Sequence, residues 1–454
     1  QTDTTTFTYE GQYANNVRVG VITHNDFTDA YTYLSAIAPT WMPAGGSDFT
    51  LTVYGANFSQ DSKVFWDASE LTTTYVSSTQ LTAAVSAANI AAVGSAAVTV
   101  GSLSAPLSFN IFGTPSAVWV DDDYTPGSCG GHIWGYDAFT NIQQAVDAVV
   151  VGGTVNIAAG TYVENVHVVK NIAIVGAGAA ATMVDGGAVG SVFFVDGDID
   201  VAIAGLTIQN GSAANGGGIY VQAGGEMNSA LVVYDCVFTN NAATTGNGGA
   251  IANLGLDEAV VLDGCTFTGN TAVNGQGGAV AILGGDLAMA NCTVSGNNAR
   301  NGGGLAFDSY ATIDLQHITV TLNTATGLAS SKGGGFFPNG ASGSVANSIF
   351  CGNTDQFVGT DTDNVNGAIP GGTNNLVDEN AMLGALADNG GPTPTHALLT
   401  GSPAINGGAA GTATYDQRGV PRDQGNAPDI GAYETVCIVY VDDDYTAESC
   451  DGHV

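Results

Sequence analysis

Short stretches in which apolar and polar residues alternate recur along most of the chain, separated by bends rich in glycine and asparagine. The alternation predicts short strands with one face inward and one outward. Between Gly216 and Phe337 a glycine cluster followed by an apolar residue appears five times, as GGGIYV, GGAIAN, GGAVAI, GGGLAF and GGGFFP. The apolar residues are Ile219, Ile251, Val280, Leu305 and Phe336, in steps of 32, 29, 25 and 31 residues. A second ladder keeps pace with the first through LTIQNG, CVFTNN, CTFTGN, CTVSGN, ITVTLN and SIFCGN, with a mean coil of about 28 residues. Self-similarity at this period marks a solenoid. Asn240, Asn270, Asn297, Asn323 and Asn353 close these copies and are expected at the bends, because asparagine tolerates the left-handed backbone region. The expected fold is all-β, a right-handed parallel β-helix.

Upstream, residues 37–112 alternate in runs such as FTLTVYGANF, KVFWDAS, TQLTAAV and APLSFNIF, the pattern of an antiparallel β-sandwich. Residues 1–36 carry two further β-like stretches and are read as an N-terminal β segment, either the end of a preceding module or a strand that pairs with a neighbour. After a short linker, Ile142, Ala145, Val146 and Val149 take helical spacing behind a Thr140 N-cap and ahead of Gly152 and Gly153. That helix is expected to cap the first coil, since an open solenoid end exposes core. The β-helix is assigned to 118–436. Residues 437–454 restate its opening: VWVDDDYTPGSCGGH from Val118 returns as VYVDDDYTAESCDGH from Val439. They are read as the start of a repeated module or as an assembly tail, and both readings expect a head-to-tail array.

Three segments resemble known families. The order PAGG, LTVYGANF, KVFWDA and SLSAPLSFNIF resembles IPT/TIG immunoglobulin-like domains, which implies a spacer or binding module of an extracellular multidomain protein. TVNIAAGTYVENVHVVKNIAIVGAG resembles the opening of secreted pectate-lyase-like β-helix proteins. NGGPTPTHALLTGSPAINGG with DQRGVPRDQGNAPDIGAYE resembles the C-terminal segment of choice-of-anchor Q surface proteins, which implies export and cell-surface location.

Charge narrows the partners. The chain of 454 residues has 7 Lys plus Arg against 41 Asp plus Glu, a formal charge of −34, which argues against nucleic acid and against an anionic membrane surface. No apolar run is long enough for direct membrane insertion. The same field attracts cations, and Ca²⁺ is the cofactor candidate, at Asp121, Asp122 and Asp123, at their copies Asp442, Asp443 and Asp444, and at Asp196, Asp198 and Asp200. Of the seven cysteines, Cys236, Cys265 and Cys292 hold equivalent ladder positions and are read as an inward column, whereas Cys129, Cys351, Cys437 and Cys450 are the disulfide candidates. Cys129 with His132 and Cys450 with His453 each supply only two of the four ligands a structural zinc needs. Arg418 and Arg422, among Asp416, Asp423 and Asp429, read as a structural ion-pair cluster.

The leading expectation is an extracellular structural protein, a surface coat, adhesin stalk or filament subunit that self-associates end to end without catalysis. No catalytic residue is nominated, because the solenoid's basic residues stand apart from its carboxylates. A carbohydrate-binding surface protein is the alternative, with Trp66, Trp119, Trp134 and Tyr136 as glycan-binding candidates. A polysaccharide-degrading enzyme ranks last.

Overall fold

The computed structural model describes residues 32–101, 104–222, 229–255, 258–327, 333–356, 364–409, 413–422 and 424–436. The chain divides into two units, Gln1–Thr114 and Pro115–Val454.

In the first unit the alternation is realised as a sandwich. Leu51 and Val53, Val64 and Trp66, Leu81 and Val85, Val98 and Val100, and Phe109 with Ile111 all point into one buried core. Among the described residues a four-stranded sheet and a five-stranded sheet supply these side chains. Tyr33–Ala38 pairs antiparallel with Phe49–Ala56, so the sandwich begins a few residues before the expected boundary. The two β-like stretches expected upstream lie outside the described residues.

In the second unit every rung contributes strands to parallel ladders. Among the described residues these are a wall sheet of ten strands, from Ala117–Val120 to Ser342–Ala346, and a second sheet of nine, called here the Phe sheet, from Gly160–Val163 to Leu376–Val377. A sheet of seven strands, five of which follow the glycine clusters, and six short strands at the bend complete the rungs. Because parallel rungs stack in register, equivalent residues lie one above the next at strand spacing, about 4.8 Å. Val155, Ile174, Ile203, Val233, Leu262, Met289 and Leu315 form one such buried column on the wall sheet. Ile208, Phe238, Phe267, Val294 and Val320 form another, with the Phe238 and Phe267 rings stacked at 4.8 Å. Cys236, Cys265 and Cys292 are fully buried in a column, as expected, and burial pushes the Cys236 and Cys292 thiols well above the ordinary value.

Two close approaches explain the glycine clusters. Gly248, at φ +66°, sits in a tight bend where an added Cβ would run into the carbonyl oxygen of Ile251. A Cβ on Gly249 would run into the main chain of the next rung at Gly278 and Thr271, so a larger residue would force the rungs apart. The third position tolerates alanine, as Ala250 and Ala279 show.

Of the asparagines expected at the bends, Asn240 is there, whereas Asn270, Asn297, Asn323 and Asn353 are not. Asn241, Asn270, Asn297, Asn323 and Asn353 are buried and turned inward, and the left-handed residue is the one before, Asn240, Gly269, Gly296, Leu322 or Gly352. Each Nδ2 donates to the Oδ1 of the next rung at 2.8–3.0 Å, from Asn241 through to Asn364. Each also donates to a main-chain carbonyl of the previous rung, as Asn270 does to Phe238 and Asn297 to Phe267, both at 3.0 Å. Each Oδ1 accepts in addition a backbone N–H, so the amides are saturated. A buried amide column of this kind costs little only because every member is satisfied.

The first rung is closed by helix α1, Ile142–Ala148, which lays Ile142, Ala145 and Val146 on the core. Its N-cap is Asn141, one residue beyond the expected Thr140, accepting from Gln144 N at 3.0 Å. Glu164 of the solenoid accepts from Ile142 N and Gln143 N, at 2.8 and 3.1 Å, and the Lys170 ammonium donates to Asp147 O at the other end. Both poles of the helix are thus fastened to the rung below it.

The rungs stop at Val377, well short of the expected boundary at 436. Beyond it the chain turns back and lies along the outer face of the Phe sheet as a strap, running to the last described residue, Val436. Thr266, Thr293, Ser295, Thr319 and Thr321 face outward on that sheet and are nonetheless buried beneath it.

Candidate functional site

Two places gather polar side chains: the loop after the first wall strand, and the strap. In the first, Val118 and Val120 point into the core and Trp119 outward, where its ring stacks on His132 at 4.0 Å. Asp121 Oδ1 accepts from Asp123 N at 3.0 Å, turning the carboxylate into its own bend. Asp137 accepts from Ile133 N at 2.6 Å and faces His132 Nδ1 at 3.3 Å. The Cys129 thiol donates to His132 O at 2.9 Å, so the C-x-x-H pair is spent on the loop itself. Trp134 and Tyr136 are half-buried in the same loop. Trp66 is elsewhere and is corrected: it lies 4 % exposed in the sandwich core, its ring 4.8 Å from Phe109, and has no face to offer a glycan.

The second acidic group is likewise dispersed. Asp196 Oδ2 meets His167 Nε2 at 3.1 Å, and Asp200 accepts from Asn171 Nδ2 at 3.3 Å and from Ala230 N at 3.1 Å. Among the described residues no three His, Cys, Asp or Glu side chains converge as a metal-binding group. Asp442, Asp443 and Asp444 lie outside the described residues. Cys129 and Cys351 are free thiols and do not bridge to each other, while Cys437 and Cys450 lie outside the described residues. Cys351 faces away from the rung interior into a small core beneath the strap, with Leu376, Leu398 and Ile430, which explains its burial without a partner sulfur.

The strap holds the densest polar network. Asp416 Oδ2 accepts from Arg418 Nε and Nη2 at 2.9 and 2.7 Å and from Glu434 N at 2.9 Å, while its Oδ1 accepts from Arg418 N and Val420 N. The Arg418 guanidinium also donates to Glu434 O and lies 3.5 Å over the Tyr433 ring. Arg422 donates to the carbonyls of Tyr415, Asp429 and Gly431, reaches Asn291 Oδ1 at 2.8 Å, and stands 3.8 Å from Glu434. Asp429 and Glu434 accept main-chain N–H groups of Asn406, Thr435 and Asp429 itself. Burial pushes the Glu434 carboxyl up to about 7 and lowers Arg422 to about 10, against the pull of Asp416, Glu434 and Asp429. Burial first, and the Arg422 charge second, bring His317 down to about 3. These acids work as main-chain acceptors, which fits the expected structural cluster, of which Asp423 lies outside the described residues.

Sequence reasoning missed what this network fastens. Gln417 donates to Thr266 Oγ1 at 2.8 Å and accepts from Thr293 Oγ1 at 2.7 Å; His396 meets Ser295 Oγ at 2.9 Å; Ala432 N donates to Thr319 Oγ1 at 3.0 Å. The signal in the sequence was the row of hydroxyls on successive rungs, Thr266, Thr293 and Thr319, which can accept a partner as exposed alanines or valines cannot.

The architecture thus defines a parallel β-solenoid protein with an immunoglobulin-like sandwich ahead of it. Residues 33–111 match the IPT/TIG domain family, and the sandwich is a domain of that kind. No curated protein matches the chain. Among solved structures, the catalytic unit of a thermostable GH87 alpha-1,3-glucanase from Streptomyces thermodiastaticus strain HF3-3 is similar at 15 % identity, over 73 % of this chain and 87 % of that one, with a TM-score of 0.16. A likeness of that size carries no argument about activity.

Proposed function

We propose that this chain is a structural protein of the cell exterior, a surface-coat, adhesin-stalk or filament subunit that joins its neighbours end to end and performs no catalysis. The observation that supports this most is the role of Ala117–Val120 as a wall strand between Ala138–Phe139 and Gly153–Ile157, with Val118 and Val120 in the core. The near-copy VYVDDDYT at 439–446 carries valines at the same two places, so its pattern suits a strand of the same kind in a second solenoid. A natural place for it is the far end of the wall sheet. There Ser342–Ala346 begins with three exposed residues, while Val345 and Ala346 are already bridged by Thr373, so a neighbour's strand would pair with Ser342–Ser344. The buried acids of the strap, committed to main-chain N–H groups, support a structural reading over a catalytic one. The IPT/TIG domain and the resemblance of the strap to choice-of-anchor Q segments support a place outside the cell.

Electron microscopy of the purified chain beside a variant lacking residues 437–454 tests the reading. Fibres or sheets from the full chain and discrete particles of unchanged circular dichroism from the shortened one are expected. Equal assembly by both, or by neither, overturns it.

A further inference from the structure

Where the strap meets the corner between the wall and Phe sheets, it leaves a cleft of about 590 Å³, within the range of roughly 300–1,000 Å³ typical of small-molecule sites. Tyr234 and Asp235 of one rung and Asp263 of the next line its solenoid side; Tyr415 lines the strap side. Both tyrosines are uncovered, at 43 % and 53 % exposure. The floor is rigid: Asp263 accepts from Asn291 Nδ2 at 3.1 Å, and Asn291 is held in turn by Arg422. Among the described residues the one cation on the lining, Arg418, is already neutralised by Asp416, so Asp235 and Asp263 leave the described lining net acidic. Burial first, and the Asp263 charge second, raise the Asp235 carboxyl, as expected for two acids facing one enclosed space.

We propose that this cleft binds an uncharged saccharide, independently of the end-to-end assembly. Aromatic rings offer flat apolar faces to the C–H side of a pyranose, and carboxylate and amide oxygens accept from its hydroxyls. The same carboxylates repel uronates and phosphates, as does the chain's formal charge of −34. The occupant is therefore a neutral hexose or pentose oligomer rather than an acidic polysaccharide.

Isothermal titration of the full chain with malto-, cello-, laminari-, manno- and xylohexaose, and with a galacturonate hexamer, decides the matter. At least one neutral hexamer binds and the galacturonate does not. Tyr415→Ala and Tyr234→Ala each weaken that binding about tenfold or more, whereas Tyr415→Phe, which keeps the ring, stays within about twofold of the parent. Melting curves of the variants overlay the parent, since both rings are exposed. Absence of binding by every neutral hexamer at millimolar concentration overturns the proposal. So does binding that survives both alanine variants, or equal binding of the galacturonate.

Discussion

The rungs and the strap solve the same problem, burying polar backbone in a chain with few charges to pair, in opposite ways. Between Asn241 and Asn364 one amide contact is repeated rung after rung, each oxygen accepting twice and each nitrogen donating twice. In the strap no contact repeats. Arg418, Arg422, Asp416, Asp429 and Glu434 each do something different, and Arg422 reaches back to Asn291, on a rung more than a hundred residues away. A repeating solution spreads any loss over its neighbours, whereas a singular one fails at its keystone.

The sharpest way to break the comparison is at that keystone. Arg422→Ala removes the cation that faces buried Glu434 and releases three carbonyls, and a loss of about 3–5 kcal/mol from the strap is expected. Hydrogen exchange should show it as local release: amides of 393–434 lose protection while those of the Asn ladder keep theirs. Uniform loss over the whole solenoid would mean that strap and rungs form one cooperative unit. Asn297→Ala acts on the other side. It strands the Asn270 amide and one carbonyl, costs about 2–4 kcal/mol, and lowers the melting temperature of the solenoid itself.

Changing pH loads the two regions unequally, because His317, His396 and Glu434 sit in or under the strap. His317 and His396 are held below the ordinary imidazole value by burial, so their contribution is complete above about pH 6.5 and is lost as pH falls, towards about 3 for His317. Glu434 has the opposite sign. Its proton is held up to about 7 in the fold, so its contribution is complete below the ordinary value of 4.5 and is lost as pH rises through about 7. Melting temperature between pH 5 and 8.5 should therefore decline across neutrality in the parent and not in Glu434→Gln. The smallest effect is expected from Ca²⁺. Because Asp121, Asp196 and Asp200 are already engaged within the protein, chelation should leave the melting temperature unchanged. A fall of several degrees on chelation would assign a metal to one of these groups.

What was legible in the sequence follows the same division. Repetition is visible to the eye, so the glycine clusters, the cysteine column and the parallel β-helix could be read directly, and the IPT/TIG pattern at the front likewise. Asn270, Asn297, Asn323 and Asn353 were placed one residue astray because Asn240, which does take the bend, and the inward Asn241 are adjacent in the one rung that holds both. Leu322, at φ +60°, shows that residue type alone does not mark the bend. The strap was legible as an ion-pair cluster but not as a strap, since nothing along the chain pairs Gln417 with Thr266 or His396 with Ser295. Trp66 was misplaced for a plainer reason: in KVFWDA the alternation that sends Val64 inward sends Trp66 with it.

The central claim, that the repeated valine strand joins one molecule to the next, is tested most directly by sedimentation velocity over a concentration series. Val439 and Val441 correspond in the repeat to the buried Val118 and Val120. The parent chain should sediment as a growing series of oligomers, and the double variant Val439→Lys, Val441→Lys as one species with the parent's circular dichroism. Oligomers undiminished by the two lysines would contradict the account.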